Sequence, residues 1–75
     1  MNALKRLRGK KLLTQQELAD RIGVARQTYT LWENNTINCD LDTIFKVLKT
    51  LEATDLEIEE FFCELKQDYM SYKMI

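Results

Sequence analysis

Seventy-five residues without proline or histidine, holding two glycines and two cysteines, describe one small domain whose apolar core is modest. Eleven basic against twelve acidic side chains leave a net charge of −1, and no apolar run nears the ~20 residues that span a bilayer. Cys39 and Cys63 stand too far apart for a paired-cysteine metal motif and read as two reduced thiols, and no nucleophile–base pair or phosphate-binding glycine loop is present, so membrane, metal-site and enzyme classes drop out and no cofactor is expected.

In chain order, Asn2 can cap a first helix running to about Lys10, with Leu4 and Leu7 inward and Lys5, Arg6 and Arg8 outward. Thr14-Gln15-Gln16-Glu17 is a capping box that starts a second helix. Leu18 and Ile22, four apart, share its buried face, and Ala19 is small where crossing helices touch. Gly23 supplies the backbone freedom that a sharp helix-to-helix turn needs. A third helix is predicted from about Arg26 to Glu33, with Tyr29 and Trp32 facing the core. Its N-cap position holds Ala25, which caps poorly, at a cost of ~1 kcal/mol. Asn34 and Asn35 can end it in the left-handed conformation.

Thr36 to Cys39 reads as a polar loop, after which Asp40 caps a fourth helix. Leu41, Ile44, Phe45, Leu48 and Leu51 are predicted to form its apolar stripe. A second capping box, Thr54-Asp55-Leu56-Glu57, starts a fifth helix that buries Ile58, Phe61, Phe62 and Leu65. The expected fold class is therefore all-α, a compact five-helix domain over residues 1–65. Residues 66–75 form a short C-terminal tail, whose Tyr69, Met70, Tyr72, Met74 and Ile75 suit either a segment folded back on the domain or a dimer contact made by an exchanged arm or short strand.

The charge is split along the chain. Residues 1–31 hold seven basic and two acidic side chains, a net of +5, and residues 32–75 hold four lysines and ten acids, a net of −6. Such asymmetry predicts a basic face for a polyanion and an acidic remainder turned elsewhere.

The run from Thr14 through Leu18-Ala19-Asp20-Arg21-Ile22-Gly23-Val24 to Thr28, followed by Trp32-Glu33-Asn34, resembles the Cro/CI-type (Xre-like, lambda-repressor-like) helix-turn-helix of bacterial and viral regulators. The resemblance extends from about Leu4 to about Phe62, with the motif at about residues 15–34. Leu12 and Asn35 stand where that family usually has glycine, and Ala25 where it commonly has serine or threonine.

A third helix held across the second can enter a DNA major groove. Arg26, Gln27, Thr30 and Leu31, on its start and outer face, are the expected base readers. Arginine suits a guanine edge, glutamine an adenine edge, and Thr30 or Leu31 a thymine methyl. The resemblance implies that Arg26 and Gln27 occupy the positions that most often read bases. Contacts to the DNA backbone are expected from Gln15 and Gln16 at a helix N-terminus, from Thr28, Asn34 and Thr36, and from the charges of Lys10 and Lys11.

The expected function is a sequence-specific transcriptional regulator, a dimeric repressor on a palindromic operator with half-sites roughly one helical turn apart. Its partners would be duplex DNA, a second copy of the chain and a protein antagonist of unknown identity, with no membrane. The alternative is a protein-interaction module, antitoxin-like or regulator-binding, that uses the acidic C-terminal half. No secretory pattern marks the charged N-terminus, so the expected location is the cytoplasm of a bacterial cell or phage-infected host.

Overall fold

Short polar side chains start four of the five helices. Asn2 Oδ1 accepts the Lys5 amide (3.0 Å) ahead of α1 (Ala3–Lys10), and Asp40 accepts the Thr43 amide (2.8 Å) ahead of α4 (Leu41–Thr50). Both capping boxes close. Thr14 Oγ1 accepts from the Glu17 amide and the Glu17 carboxylate from the Thr14 amide before α2 (Gln15–Ile22), and Thr54 and Glu57 make the same exchange before α5 (Asp55–Lys73). The exception is α3 (Arg26–Asn34), where Ala25 offers no side-chain cap. The computed structural model describes residues 2–73; a 3-10 turn at Thr36–Asn38 links α3 to α4, and no strand occurs among the described residues.

Three helices end alike. The amides of Leu13, Val24 and Ala53 reach back to the carbonyls of Arg8, Ala19 and Leu48, and the residue before each is left-handed: Leu12 (φ 60°), Gly23 (φ 92°) and Glu52 (φ 54°). This six-to-one closure satisfies carbonyls the helix would otherwise leave open, and only α2 makes it with glycine. Leu12 is 88% exposed, so its side chain contributes no burial to offset the strain. Leu12→Gly is expected to stabilise the domain by about 1 kcal/mol, read as a higher midpoint in urea with an unchanged slope.

Leu4 and Leu7 of α1, Leu18 and Ala19 of α2, Tyr29 of α3, Ile44, Val47 and Leu48 of α4, Leu51 after it and Phe61 of α5 form the core. Fully burying such a leucine contributes roughly 1.5–3 kcal/mol. Helix α2 packs on α3 and α4, and α1 on α5. This arrangement leaves the N-terminal turn of α3 at the surface, supported from behind by α2.

Two sequence expectations are corrected. The buried stripe of α4 is Ile44, Val47, Leu48 and, just past its end, Leu51; Leu41 and Phe45 are 62% and 49% exposed. They lie one helical step round from that stripe, and Phe45 instead meets Phe62 of α5 with ring centroids 5.7 Å apart. Trp32 faces the core as expected, half-buried and edge-on to a fully buried Tyr29. Residues 66–73 continue α5 as one helix, in place of an arm or strand; Met74 and Ile75 lie outside the described residues.

The charge split does not survive folding as two opposed faces. Arg6 pairs with Glu64 (2.8 Å), Lys10 and Lys11 both with Glu57 (3.2 and 2.9 Å), and Arg8 with Glu33. The lysine pairing, together with the Thr54 amide, holds the Glu57 carboxyl down at about 2 from its ordinary 4.5. A depressed carboxyl stabilises the fold above its unfolded value and stops doing so as pH falls through the folded one. Glu57→Gln is therefore expected to melt below wild type at pH 6, with the two curves converging as pH drops from 4.5 towards 2. A difference that persists at the acid end would assign the effect to packing.

Candidate nucleic-acid interface

Gly23, left-handed at the end of α2, and extended Ala25 turn the chain sharply into α3. The turn aims the first two turns of α3 outward and sets them beside the start of α2. Arg26, Gln27, Thr30 and Leu31 of α3 and Gln15 of α2 together line one open concavity of about 480 Å³. All four expected base readers thus fall on one surface. Arg26, Gln27 and Leu31 are exposed and Thr30 is half-buried. A second, adjoining concavity brings Arg8, Leu13, Thr14, Gln15 and Gln16 to the other side of Arg26.

Lys5, Arg21 and Arg26 are the cations of the first thirty-one residues that make no ion pair among the described residues. Arg26 alone of these lies in the concavity, so its charge is uncompensated at the point where α3 would meet a phosphate-lined groove.

The expected backbone contacts divide. Gln16 and Asn34 are exposed and Thr28 half-buried; the Gln16 amide donates to Asp20 one turn on (2.8 Å). Thr36 is corrected: it is buried, and its hydroxyl donates to the carbonyls of Trp32 (2.9 Å) and Glu33 (3.2 Å), closing the end of α3 instead of facing solvent. Lys10 and Lys11 lean onto Glu57 at the start of α5, on the α1–α5 side, so one carboxylate offsets one of their two charges within the fold.

Behind the surface lies a group that sequence reasoning missed. Glu33 is 3% exposed, and its carboxylate takes a two-pronged ion pair from Arg8, Nε to Oε2 at 2.8 Å and Nη2 to Oε1 at 3.2 Å. Arg8 Nη1 also donates to the Leu13 carbonyl (2.8 Å), tying α1 to the turn before α2. Asn2 donates to the Glu33 carbonyl, and Gln15 Nε2 to Glu33 Oε1 (2.9 Å). Burial pushes the Glu33 carboxyl up, but the hydrogen bonds from Arg8 and then Gln15 outweigh it and leave it below the ordinary value. Burial, with the adjacent Glu33 carboxylate adding to it, raises the neighbouring Tyr29 hydroxyl. The missed signal is spacing: Tyr29 and Glu33 are four apart, so a helix that buries one buries the other.

No group of three or more histidine, cysteine, aspartate or glutamate side chains is placed to hold a metal ion among the described residues. Nor is any helix among them long and apolar enough to cross a membrane. A supporting helix, a left-handed glycine turn and an outward helix carrying arginine and glutamine at its start form the DNA-binding unit of a helix-turn-helix regulator.

The comparison with known families agrees: the helix-turn-helix family model matches residues 4–58, and the chain belongs to that family. Its relatives include the antitoxin HipB of Escherichia coli strain K12, 45% identical over 53 residues that cover 71% of this chain and 60% of that protein. HipB of E. coli strain CFT073 matches at the same identity over 56% of its length, so the chain spans little more than half of either antitoxin. An HTH-type transcriptional regulator of Archaeoglobus fulgidus is 36% identical over 59 residues, 79% of each chain. No solved structure matches. The chain thus carries the DNA-binding domain of the helix-turn-helix family.

Proposed function

We propose that the domain is a sequence-specific transcriptional repressor that binds a palindromic operator as a dimer, with α3 of each copy in the major groove. The observation that carries this reading is the gathering of Arg26, Gln27, Thr30 and Leu31 with Gln15 on one open surface where the arginine makes no ion pair among the described residues. Arg26 and Gln27 would read base edges, Leu31 would cover a thymine methyl, and the Gln15 backbone amide at the start of α2, with Gln16, Thr28 and Asn34, would hold phosphates. One such helix touches too few base pairs for selectivity, which is the argument for two copies on half-sites about one turn apart. Repression follows from occupying a promoter, in the cytoplasm where the DNA is.

A second activity can share the chain. The antitoxin relatives and an exposed apolar group (Leu41 and Phe45 on α4, Tyr69 and Met70 on α5) favour a protein partner, a toxin or another regulator, held by the acidic C-terminal half. The two activities use different residues and can be separated by mutation.

Selection from random duplex DNA, sequenced at two salt concentrations, tests the main reading. Enrichment of a palindrome with half-sites about a turn apart supports it. Weak binding that enriches nothing and vanishes as salt rises overturns it and leaves non-specific charge contacts only.

A further inference from the structure

The hydrogen bonds around Gln15 have a sense imposed from inside the protein. Glu33 Oε1 belongs to an ionised, buried carboxylate, which can only accept. The end of the Gln15 side chain that faces it at 2.9 Å is therefore the NH2 group; turning the amide over would set oxygen against oxygen. The Gln15 amide oxygen consequently points the other way, towards Thr30 Oγ1 at 3.2 Å. Thr30 Oγ1 also lies 2.9 Å from the Arg26 carbonyl. A hydroxyl carries one hydrogen, and both neighbours are acceptors, so that hydrogen is donated inwards whichever it chooses. What remains at the concave surface is a pair of oxygens, Thr30 Oγ1 and Gln15 Oε1, with at most one hydrogen between them and lone pairs left over.

We infer that this oxygen pair reads a base amine. At one position of each half-site Thr30, backed by Gln15, selects a base whose major-groove edge presents an exocyclic amino hydrogen, adenine through N6 or cytosine through N4. Guanine O6 and thymine O4 would meet the pair oxygen to oxygen and are disfavoured. Arg8 and Glu33 touch no DNA in this scheme; they are positioning residues that set the polarity of Gln15 from behind. The thymine methyl expected opposite Thr30 or Leu31 falls to Leu31, which is 67% exposed and has no polar group to satisfy. The inference rests on the reading of α3 as the groove-entering helix and adds which base chemistry its middle residue accepts.

Parallel selections from random duplexes with wild type, Thr30→Val and Thr30→Ser test it. Valine keeps the shape and removes the oxygen; serine keeps the oxygen and removes the methyl. Wild type and Thr30→Ser are expected to prefer adenine or cytosine at one position, and Thr30→Val to lose that discrimination by about tenfold there alone. A wild-type titration against the selected site with the amine deleted (purine for adenine, or 2-pyrimidinone for cytosine) should lose the same factor. That titration decides the matter even if Thr30→Val fails to fold. Thr30→Val retaining the preference, loss at a guanine or thymine instead, or indifference of wild type to amine deletion would overturn the inference while leaving the regulator reading intact. Enrichment of no sequence by wild type would overturn both.

Discussion

Glu33→Ala is expected to cost the domain about 3–5 kcal/mol, because it strands the Arg8 guanidinium in the interior without a counter-charge. A 75-residue domain has only roughly 4–11 kcal/mol of stability to lose, so much of the variant should be unfolded at 37 °C. The loss is not the net worth of the ion pair. Taking both charges out of water is itself costly, and replacing the pair together, as in Arg8→Met with Glu33→Leu, is expected to recover most of the stability. Denaturant melts of the two variants measure this; a single mutant melting like wild type would mean that water reaches Arg8 freely.

The same comparison carries a pH signature. The Glu33 carboxyl is lowered in the folded state, so its contribution is present above the ordinary carboxyl value of 4.5 and is lost as pH falls through the folded one. The doubly apolar variant should lack that component of acid unfolding. Its DNA selectivity should also suffer, since Gln15 would no longer have a fixed amide orientation. Stability and specificity would then part company in one protein.

Charge reversal at the interface is expected to do the opposite. Arg26→Glu should reduce affinity for the selected operator by at least about 100-fold, because it removes a two-donor base or phosphate contact and sets a carboxylate against the backbone. Arg26 is exposed and makes no ion pair among the described residues, so the melting temperature should not move. A protein partner held by the α4–α5 side should still be bound. Unchanged DNA affinity would show that α3 does not enter the groove.

Salt dependence sharpens this expectation. Four of the seven cations in the first thirty-one residues are already paired with acids of the fold, so each copy has few charges left for phosphates. With about two phosphates neutralised per copy, the slope of log affinity against log salt should be only about −2 per copy, and Arg26→Gln should flatten it by about 1. A slope several times steeper would mean that Lys10 and Lys11 leave Glu57 on binding DNA.

The division between what was legible in the residues and what was not follows the reach of each interaction. Capping boxes, the Gly23 turn and the four-residue spacing of Leu18 and Ile22 act within one or two helical turns, so the linear pattern contains both partners. That is why the boundaries of α1, α2 and α3 and the five-helix, all-α order were readable, and with them the outward set of Arg26, Gln27, Thr30 and Leu31. The stripe of α4 was only partly readable: Phe45 fits an apolar periodicity, but its neighbour Phe62 lies seventeen positions away.

Net charge misled for the same reason. Counting charges by halves of the chain assumes that neighbours in sequence stay neighbours in space, whereas Arg6 meets Glu64 and Lys11 meets Glu57 across the fold. The ion pair of Glu33 lay beyond any local pattern, because its partner Arg8 stands twenty-five positions earlier. By itself the sequence determined which segments are helices, where they start and turn, and which helix faces outward, since these are set by local hydrogen bonds and apolar spacing. Only the tertiary structure decided which charges remain available to DNA and which way Gln15 points, because both depend on partners that approach solely when distant helices pack.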